Sequence, residues 1–203
     1  MNKMAIVITV LCVSMLNGAE MVKVFKCKIV GTDLHVSNTS IANTKAQAII
    51  RGHENQPIEV KNREIGELVR GELVRREDNV QNAKKNFFCI EPNVMSTQSV
   101  TLKKLYENKG LEQLPRCYQN ILYEIPGEHK TIAIAELGAG LPGKERAEIA
   151  VSTIINFLKQ QRKYSQIHLH LEESHTVDLY KQLIEDHLKS QKSESPNSSQ
   201  TNS

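Results

Sequence analysis

Hydrophobic and polar residues alternate in short stretches through the first half of the chain. Val22–Val30 alternates apolar and mostly polar residues, the pattern typical of a strand with one buried face. Leu34–Asn38 predicts a second short strand. Asn86–Glu91 predicts a buried strand that ends at Pro92, because proline interrupts regular pairing. The first half is therefore expected to contribute at least three strands.

The segment KAQAIIR in the same half predicts a helix. Ala46, Ile49 and Ile50 fall on one side of a helical projection. Asn43 or Thr44 precedes them as a candidate N-cap, since short polar side chains accept hydrogen bonds from the first amides of a helix. We therefore expect a helix between the second and third predicted strands.

The second half shows longer periodic patterns. Apolar residues recur at helical spacing from Leu111 to Ile125. Pro115 is expected in the first turn of that helix, because an interior proline clashes with the preceding turn. Thr131–Leu137 is an almost continuous apolar stretch, as in a parallel sheet covered on both faces. Ser165–Leu171 alternates and predicts another strand.

Two amphipathic helices accompany these strands. Lys144–Gln161 follows the first strand and Ser174 is a candidate cap for the last helix. The order strand, loop, helix, strand, helix predicts an α/β sandwich with parallel strand pairs. We expect Thr131–Leu137 and Ser165–Leu171 to be parallel neighbours, joined by a right-handed crossover through the intervening helix.

The N-terminus carries an apolar run, Met4–Leu16, behind a single lysine. It is too short to span a bilayer but suits a signal-peptide core, and a buried first strand is the alternative. Cleavage after Gly18 or Ala19 would lack the small–x–small pattern of signal peptidase sites. An intracellular location, cytoplasm or nucleus, is therefore favoured over secretion.

Composition bounds the domain count and the classes of partner. The 203 residues suit one domain, which we assign to residues 21–189, between an apolar leader over 1–20 and a disordered Ser-rich tail over 190–203. The 26 basic residues nearly match the 23 acidic ones, and Trp is absent. Nucleic-acid binding is therefore not indicated. The four cysteines show no paired spacing.

The segment AELGAGLPGKERAEIA places three glycines directly after a predicted buried strand. Gly138, Gly140 and Gly143 precede a helix, whose first amides and dipole favour an anion. Glycines also let backbone amides approach a phosphate without a Cβ in the way, and Lys144 could add positive charge. The alternative is a tight turn that needs glycines for positive φ, since this glycine pattern alone is weakly specific.

The second half resembles a macro domain. In that family a helix with the pattern C-Y-x-N-x-L precedes a strand, the strand ends in a glycine-rich phosphate loop, and an alanine-rich helix follows. The matching positions here are Cys117, Tyr118, Asn120, Leu122 and Gly138–Gly143. The resemblance extends from about Phe87 to Leu188. It implies a macro-like three-layer α/β/α sandwich with a mixed, largely parallel sheet, and binding of ADP-ribose or an ADP-ribosylated protein.

The resemblance also implies a set of ligand-binding residues. The loop would hold the diphosphate and distal ribose through Gly138, Ala139, Gly140, Leu141 and Gly143. Family members carry an early Gly-Asp whose aspartate reads adenine, and the nearest match is Asp33, offset by one extra residue. Asn38, at the end of a predicted strand, is the candidate ribose contact. No cofactor or metal is implied.

The first half departs from the family pattern. No glycine-rich first loop follows the early strands, and Leu141-Pro142 stands where an aromatic residue often packs on the distal ribose. Catalysis suffers more than binding from such changes, because hydrolysis needs groups held near transition-state geometry. We therefore expect a non-catalytic ADP-ribose-binding module. The alternatives are a degenerate domain that serves as a protein-interaction module, and an ADP-ribosyl hydrolase.

Other chemistry has weaker support. His168 and His170 share one strand face at a spacing that could ligate a metal, with Glu172 at the same parity, but a polar strand face explains them more simply. Cys89 and Cys117 lie in apolar contexts and are expected in the core rather than as nucleophiles. No catalytic residue is assigned, and the oligomeric state is left open.

Overall fold

The computed structural model describes residues 13–17, 20–41, 44–53, 64–65, 67–70, 85–92 and 100–193. The strands are β1 (Val13–Asn17), β2 (Glu20–Ile29), β3 (Thr32–Ser37), β4 (Ala48–His53), β5 (Leu68–Arg70), β6 (Lys85–Ile90), β7 (Thr131–Ala135) and β8 (Gln166–His170). The helices are α1 (Val100–Glu124), α2 (Gly143–Gln160) and α3 (Ser174–Ser193). Residues 1–12 and 18–19 of the predicted leader, the candidate cap Asn43 and residues 194–203 of the predicted tail lie outside the described residues. Val13–Asn17 of the predicted leader form β1, and residues 190–193, predicted to be disordered, belong to α3.

All eight strands belong to one sheet, in the order β1-β2-β3-β8-β7-β4-β6-β5. The five inner strands, from β3 to β6 in that order, are parallel, and the pairs at the two edges are antiparallel. This is the predicted mixed, largely parallel α/β fold. The predicted parallel pairing of the two late strands is also confirmed, with Ile132 of β7 opposite Ile167 of β8.

The main hydrophobic core lies between one face of the sheet and the helices. α1 packs against α2, and α2 packs against α3. Ile50, Ile134 and Leu169 supply strand side chains to this core, which the three helices complete. A smaller cluster of Ala46, Ile49 and Ala133 lies on the opposite face. Among the described residues, no helix covers that face of the sheet. The described residues therefore form two of the three predicted layers, the sheet and one layer of helices.

The helix predicted over KAQAIIR is wrong, because most of this segment forms strand β4. β4 lies between β6 and β7 in the sheet centre, so both of its faces are buried. Ile49 points to the small cluster and Ile50 to the main core. Consecutive apolar residues suit a strand covered on both faces as well as they suit one side of a helix. Sheet position decided between the two.

The expected place of Pro115 is also wrong, because α1 begins at Val100 and carries Pro115 in its interior. Proline has no N–H to donate to the preceding turn, so that turn lacks one hydrogen bond. Leu114, directly before it, and Tyr118, three residues after it, are fully buried. Tertiary packing therefore holds the helix across a position that disfavours it. In the described part of the chain, no helix is sufficiently long and apolar to cross a membrane.

Candidate functional site

The glycine-rich segment Gly138–Gly143 joins the carboxyl end of β7 to the start of α2. β7 lies between β8 and β4 and is parallel to both. The carboxyl ends of parallel strands meet at one edge of a sheet, and ligands of open α/β sheets bind there. The loop therefore occupies the position in which this architecture places binding sites.

Two glycines of the loop adopt a backbone conformation that other residues disfavour. Gly138 and Gly140 have φ of 81° and 80°, in the left-handed region that favours glycine. The amide of Leu141 donates to the carbonyl of Gly138 at 3.0 Å, which closes a tight turn. Ala139 and Gly140 are exposed at its tip. Both readings of the motif, a turn that needs positive φ and a loop open to an anion, are compatible with this backbone.

The start of α2 leaves backbone donors available near the loop. Pro142 is the N-cap residue and makes no side-chain capping hydrogen bond. The first amides of a helix have no partner within it, and they attract negative charge together with the helix dipole. Gly143 is exposed, and a Cβ added there would meet nothing within 4 Å. An anion could therefore approach this end of α2 without a steric obstacle at Gly143.

Two side chains from neighbouring elements accept hydrogen bonds from the backbone at the start of the loop. The hydroxyl of Tyr118, from α1, accepts the amide hydrogen of Leu137 at 3.3 Å. The carboxylate of Glu91, which follows β6, accepts the amide hydrogen of Gly138 through Oε2 at 2.6 Å. Both side chains are buried. Tyr118 belongs to the C-Y-x-N-x-L pattern, so one role of that pattern here is to position the loop.

The Glu91 side chain reaches the loop across strand β4. A Cβ at Gly52 would overlap Oε1 of Glu91, so the carboxylate lies in the space that a side chain at this position would fill. Glu91 is 7% exposed. A buried carboxyl group of the protein therefore already accepts a hydrogen bond from one of the loop amides.

The side chain of Leu141 lies in the core. It is 5% exposed, and its methyl groups would lie 2.7 Å from a Cβ at Gly110 and 2.9 Å from one at Gly138. Leu114 closes the same space from α1. The Leu141 side chain points into the core, and its amide donates to the carbonyl of Gly138. Of the predicted ligand contact at Leu141, only the backbone carbonyl group is therefore left.

A buried ion pair lies under the loop. Oε1 of Glu136 is 3.1 Å from Nη2 of Arg146, and the hydroxyl of Tyr180 donates to the same oxygen at 3.3 Å. Nη1 of Arg146 also donates to the carbonyl of Gly138 at 3.3 Å. Burial raises the pKa of the Glu136 carboxyl, although Arg146 and Tyr180 act to lower it. Glu136 thus faces α2 and α3, and it is paired.

A cavity of about 350 Å³ lies between the loop and the start of α3. Gly143, Lys144 and Arg146 line it on the loop side, and Glu172 and Glu173 line it on the β8 side. Lys144 is exposed and forms an i,i+4 ion pair with Glu148. The cavity therefore combines helix-terminal amides and cations with carboxylates that can accept hydrogen bonds from an amine.

The structure separates the two first-half candidates. Asp33 lies at the start of β3, opposite Gln166, and its Oδ1 is 3.5 Å from Nζ of Lys28. That is the amino end of the parallel strands, so Asp33 does not share an edge with the loop. Asn38 follows β3 at the loop's edge, where its Oδ1 accepts the amide hydrogen of Lys23 at 2.7 Å. Of the two, only Asn38 lies at the edge of the sheet where the glycine loop is found.

A buried polar network follows β3 and β8 at the same edge. Nδ1 of His170 lies 2.9 Å from the carbonyl oxygen of Thr39, and Nε2 lies 2.7 Å from the hydroxyl of Thr44. Burial lowers the pKa of His170. The neutral ring donates through Nδ1 and accepts through Nε2, which matches both partners. This network ties the segment between β3 and β4 to the end of β8.

His168 lies on the same face of β8 as His170 and contacts His35 edge-to-face, with ring centroids 4.7 Å apart. Burial, followed by the positive charges nearby, lowers the pKa of His168 to about 4. Among the residues that the structure describes, no group of three or more His, Cys, Asp or Glu side chains is arranged to hold a metal ion. Cys89 and Cys117 are fully buried, as predicted for core residues.

Sequence reasoning missed Glu91 and Arg146 as parts of the site. The pattern Asn86–Glu91 predicts only that Glu91 ends a buried strand, and a carboxylate directly before a proline gives no local signal of the group that it contacts. Arg146 lies in the first turn of α2, three residues after Gly143, where a basic residue close to a glycine loop could have been considered. The contact of Glu91 with Gly138 depends on the order of the strands in the sheet, and the contact of Arg146 with Glu136 depends on which way α2 faces.

No protein-family model matches the chain, and no curated protein matches it significantly in sequence. Solved structures do match. An Oceanobacillus iheyensis macrodomain with ADP is 16% identical, with a TM-score of 0.63, over 83% of this chain and 98% of that one. A variant of that macrodomain with ADPR is 17% identical, with a TM-score of 0.61, over 82% of this chain and 99% of the other.

A Trypanosoma brucei macrodomain in complex with ADP is more distant. It is 12% identical, with a TM-score of 0.53, over 77% of this chain and 70% of that one. Similarity at these identities establishes the architecture. The chain has the macrodomain fold, in a divergent form, as the motifs of its second half predict.

Proposed function

We propose that this chain, which has the macrodomain fold, binds ADP-ribose or an ADP-ribosylated protein at the Gly138–Gly143 loop. The observation that carries the proposal is the loop's geometry. Two glycines with positive φ follow a central parallel strand and lead into a helix whose N-cap makes no side-chain hydrogen bond. Exposed backbone at a helix N-terminus is suited to a phosphate.

The neighbouring cavity suits the rest of such a ligand. Lys144 and Arg146 contribute positive charge beside the loop, where a diphosphate would lie. Asp33 lies at the other end of β3, away from this cavity. Glu172 and Glu173 line the cavity, so we propose these two carboxyl groups, instead of Asp33, as acceptors for an adenine amino group. Structural neighbours with ADP and ADPR support the choice of ligand class.

A second candidate is a protein-interaction module in which the ligand site has been lost. Glu91 favours it, because its carboxylate already bonds to the Gly138 amide. Leu141 favours it as well, because its side chain fills the space beneath the loop. Hydrolysis is the weakest candidate. The two buried carboxyl groups at the loop are both engaged, Glu136 with Arg146 and Glu91 with Gly138, so neither is poised to activate water.

Calorimetric titration of the full chain with ADP-ribose distinguishes these functions. Saturable heat and a thermal shift with ADP-ribose, absent with ribose alone, are expected for the proposed function. Affinity should weaken as salt is added, because much of the contact is electrostatic. If millimolar ADP-ribose produces neither heat nor a thermal shift, the interaction-module function takes its place.

A further inference from the structure

We propose that copies of this chain associate with one another, with the exposed side of the first turns of α1 in one copy lying in the groove between α2 and α3 of another. The proposal rests on two surfaces of the molecule that are complementary in charge and are both partly apolar. It does not depend on the proposed function, because neither surface includes the Gly138–Gly143 loop.

The first turns of α1 extend past the point where the helix meets the glycine loop. A Cβ at Gly110 would lie 2.7 Å from the Leu141 side chain, so α1 contacts the loop at this residue. Later in α1, the carbonyl of Leu122 accepts a hydrogen bond from the hydroxyl of Tyr164, near the start of β8. The helix thus begins beyond the loop, and Val100 lies about 15 Å before the contact at Gly110.

One side of these first turns is exposed, partly apolar and positively charged. Val100, Lys104 and Leu105 lie along it. Val100 is 81% and Leu105 59% exposed, and among the described residues the other exposed large hydrophobic side chain is Tyr123. Lys109 flanks this side, and neither it nor Lys104 forms an ion pair in the described part of the chain. A helix with this composition is suited to a groove with an acidic rim.

The groove between α2 and α3 has an apolar floor and such a rim. Its volume is about 550 Å³, and partly buried Ile149 and Leu183 lie in its floor. The rim carries Glu145, Glu148 and Asp186. Glu148 and Asp186 form exposed ion pairs of 3.8 Å and 3.7 Å with lysines of their own helices. Such pairs are weak, so lysines of another molecule can compete for these carboxylates.

The remaining residues of the groove do not offset its negative charge. Burial first, and then Lys159, lowers the pKa of His187, so its ring is neutral at pH 7. No lysine or arginine is among the described residues that line the groove. In the proposed contact, Val100 and Leu105 lie on the apolar floor and Lys104 faces the rim. A contact of about three helical turns is smaller than a standard interface, so association should be weak and concentration-dependent.

The test measures self-association of the full chain by sedimentation velocity over a wide range of protein concentrations. Lys104→Glu reverses the charge of the helix surface, and Glu148→Lys reverses one charge of the groove. Each should weaken self-association roughly tenfold, because an attraction becomes a repulsion. Lys45→Glu and Glu128→Lys are the matched controls, since both side chains are exposed and lie outside the two surfaces. These controls should leave self-association unchanged.

A mixture of the two variants identifies the contact. Lys104→Glu keeps an intact groove and Glu148→Lys an intact helix surface, so the mixture should associate more strongly than either variant alone. Both reversals in one chain should also restore association, because the reversed charges attract each other again. Leu105→Ser should weaken association without a change of charge and leave thermal stability unchanged, since this side chain is exposed.

Three results would overturn the proposal. The first is a chain that stays monomeric at its highest soluble concentration. The second is self-association that Lys104→Glu and Glu148→Lys weaken no more than their controls do. The third is weakening by both variants without recovery in the mixture, because the contact would then not join the helix surface to the groove. ADP-ribose is absent from these experiments, so none of the three bears on the proposed function.

Discussion

The carboxylate of Glu136 and the guanidinium of Arg146 form an ion pair of 3.1 Å beneath the glycine loop, with the two side chains only 6% and 18% exposed. Glu136 follows β7, and Arg146 lies in the first turn of α2. Tyr180 adds a hydrogen bond from α3. The pair therefore joins the two ends of the loop to each other and to the last helix.

Replacing Arg146 should destabilise the fold strongly. Arg146→Met leaves the buried Glu136 without its cation, and we expect the free energy of unfolding to fall by about 3–5 kcal/mol. Lys144→Met is the control, since its ion pair with Glu148 is exposed and should contribute less than about 1 kcal/mol. Urea denaturation followed by circular dichroism measures both. If both variants lower the free energy of unfolding by the same amount, the buried ion pair does not stabilise the fold as predicted.

Acid should weaken the fold through the histidines of β3 and β8. The pKa of His168 is lowered to about 4, by burial first and then by the positive charges of His35, His170 and Lys26. Between pH 6.5 and about 4 the unfolded chain thus binds more protons at His168 than the folded chain does. The free energy of unfolding should therefore decrease as pH falls through this window.

The variant His168→Gln should lessen that decrease. The difference between this variant and the unmodified chain isolates His168 from Glu136, whose raised pKa acts in the opposite direction, with stability lost as pH rises. His175→Gln replaces a histidine whose side chain is 79% exposed and serves as the control. The measurement is urea denaturation at several pH values. An unchanged slope in His168→Gln would contradict the prediction.

The packing of Glu91 over Gly52 predicts a coupled pair of substitutions. Gly52→Ala places a methyl group on the Glu91 carboxylate, which must move and lose its bond to Gly138. We expect a cost of about 1–3 kcal/mol in the free energy of unfolding. In a Glu91→Ala background the same change should cost much less, because the displaced group is gone. A double-mutant cycle measures the coupling, and additive effects would rule out the contact.

Gly143 offers a way to obstruct the loop without disturbing the fold. A Cβ there meets nothing within 4 Å, so Gly143→Ala should leave thermal stability unchanged or raise it slightly. The methyl group would stand in front of the first amides of α2, and ADP-ribose affinity should fall on the order of tenfold, about one charge-assisted hydrogen bond. Gly127→Ala also enters open space, at the other end of β7, and should change neither property. Full ligand affinity in Gly143→Ala would remove this loop from the binding site.

Much of the second half was predictable because its elements follow from local patterns. The apolar run Thr131–Leu137 indicated a central parallel strand, and β7 lies there. The glycines at 138 and 140 indicated positive φ, which both adopt. In the first half, by contrast, Ala48–Ile50 satisfied a helical and a doubly buried strand pattern equally well. The choice between them required knowledge of the neighbouring strands.

The sequence by itself determined the α/β class, the order of the late strands and helices, and the position of a glycine loop at a strand end. Periodicity and glycine conformation are local properties, so they can be read along the chain. Only the tertiary structure decided that Glu91 reaches Gly138, that Arg146 neutralises Glu136, and that Asp33 lies at the far end of β3. These relationships join residues far apart in sequence, and the strand order β6-β4-β7-β8-β3 sets which side chains meet.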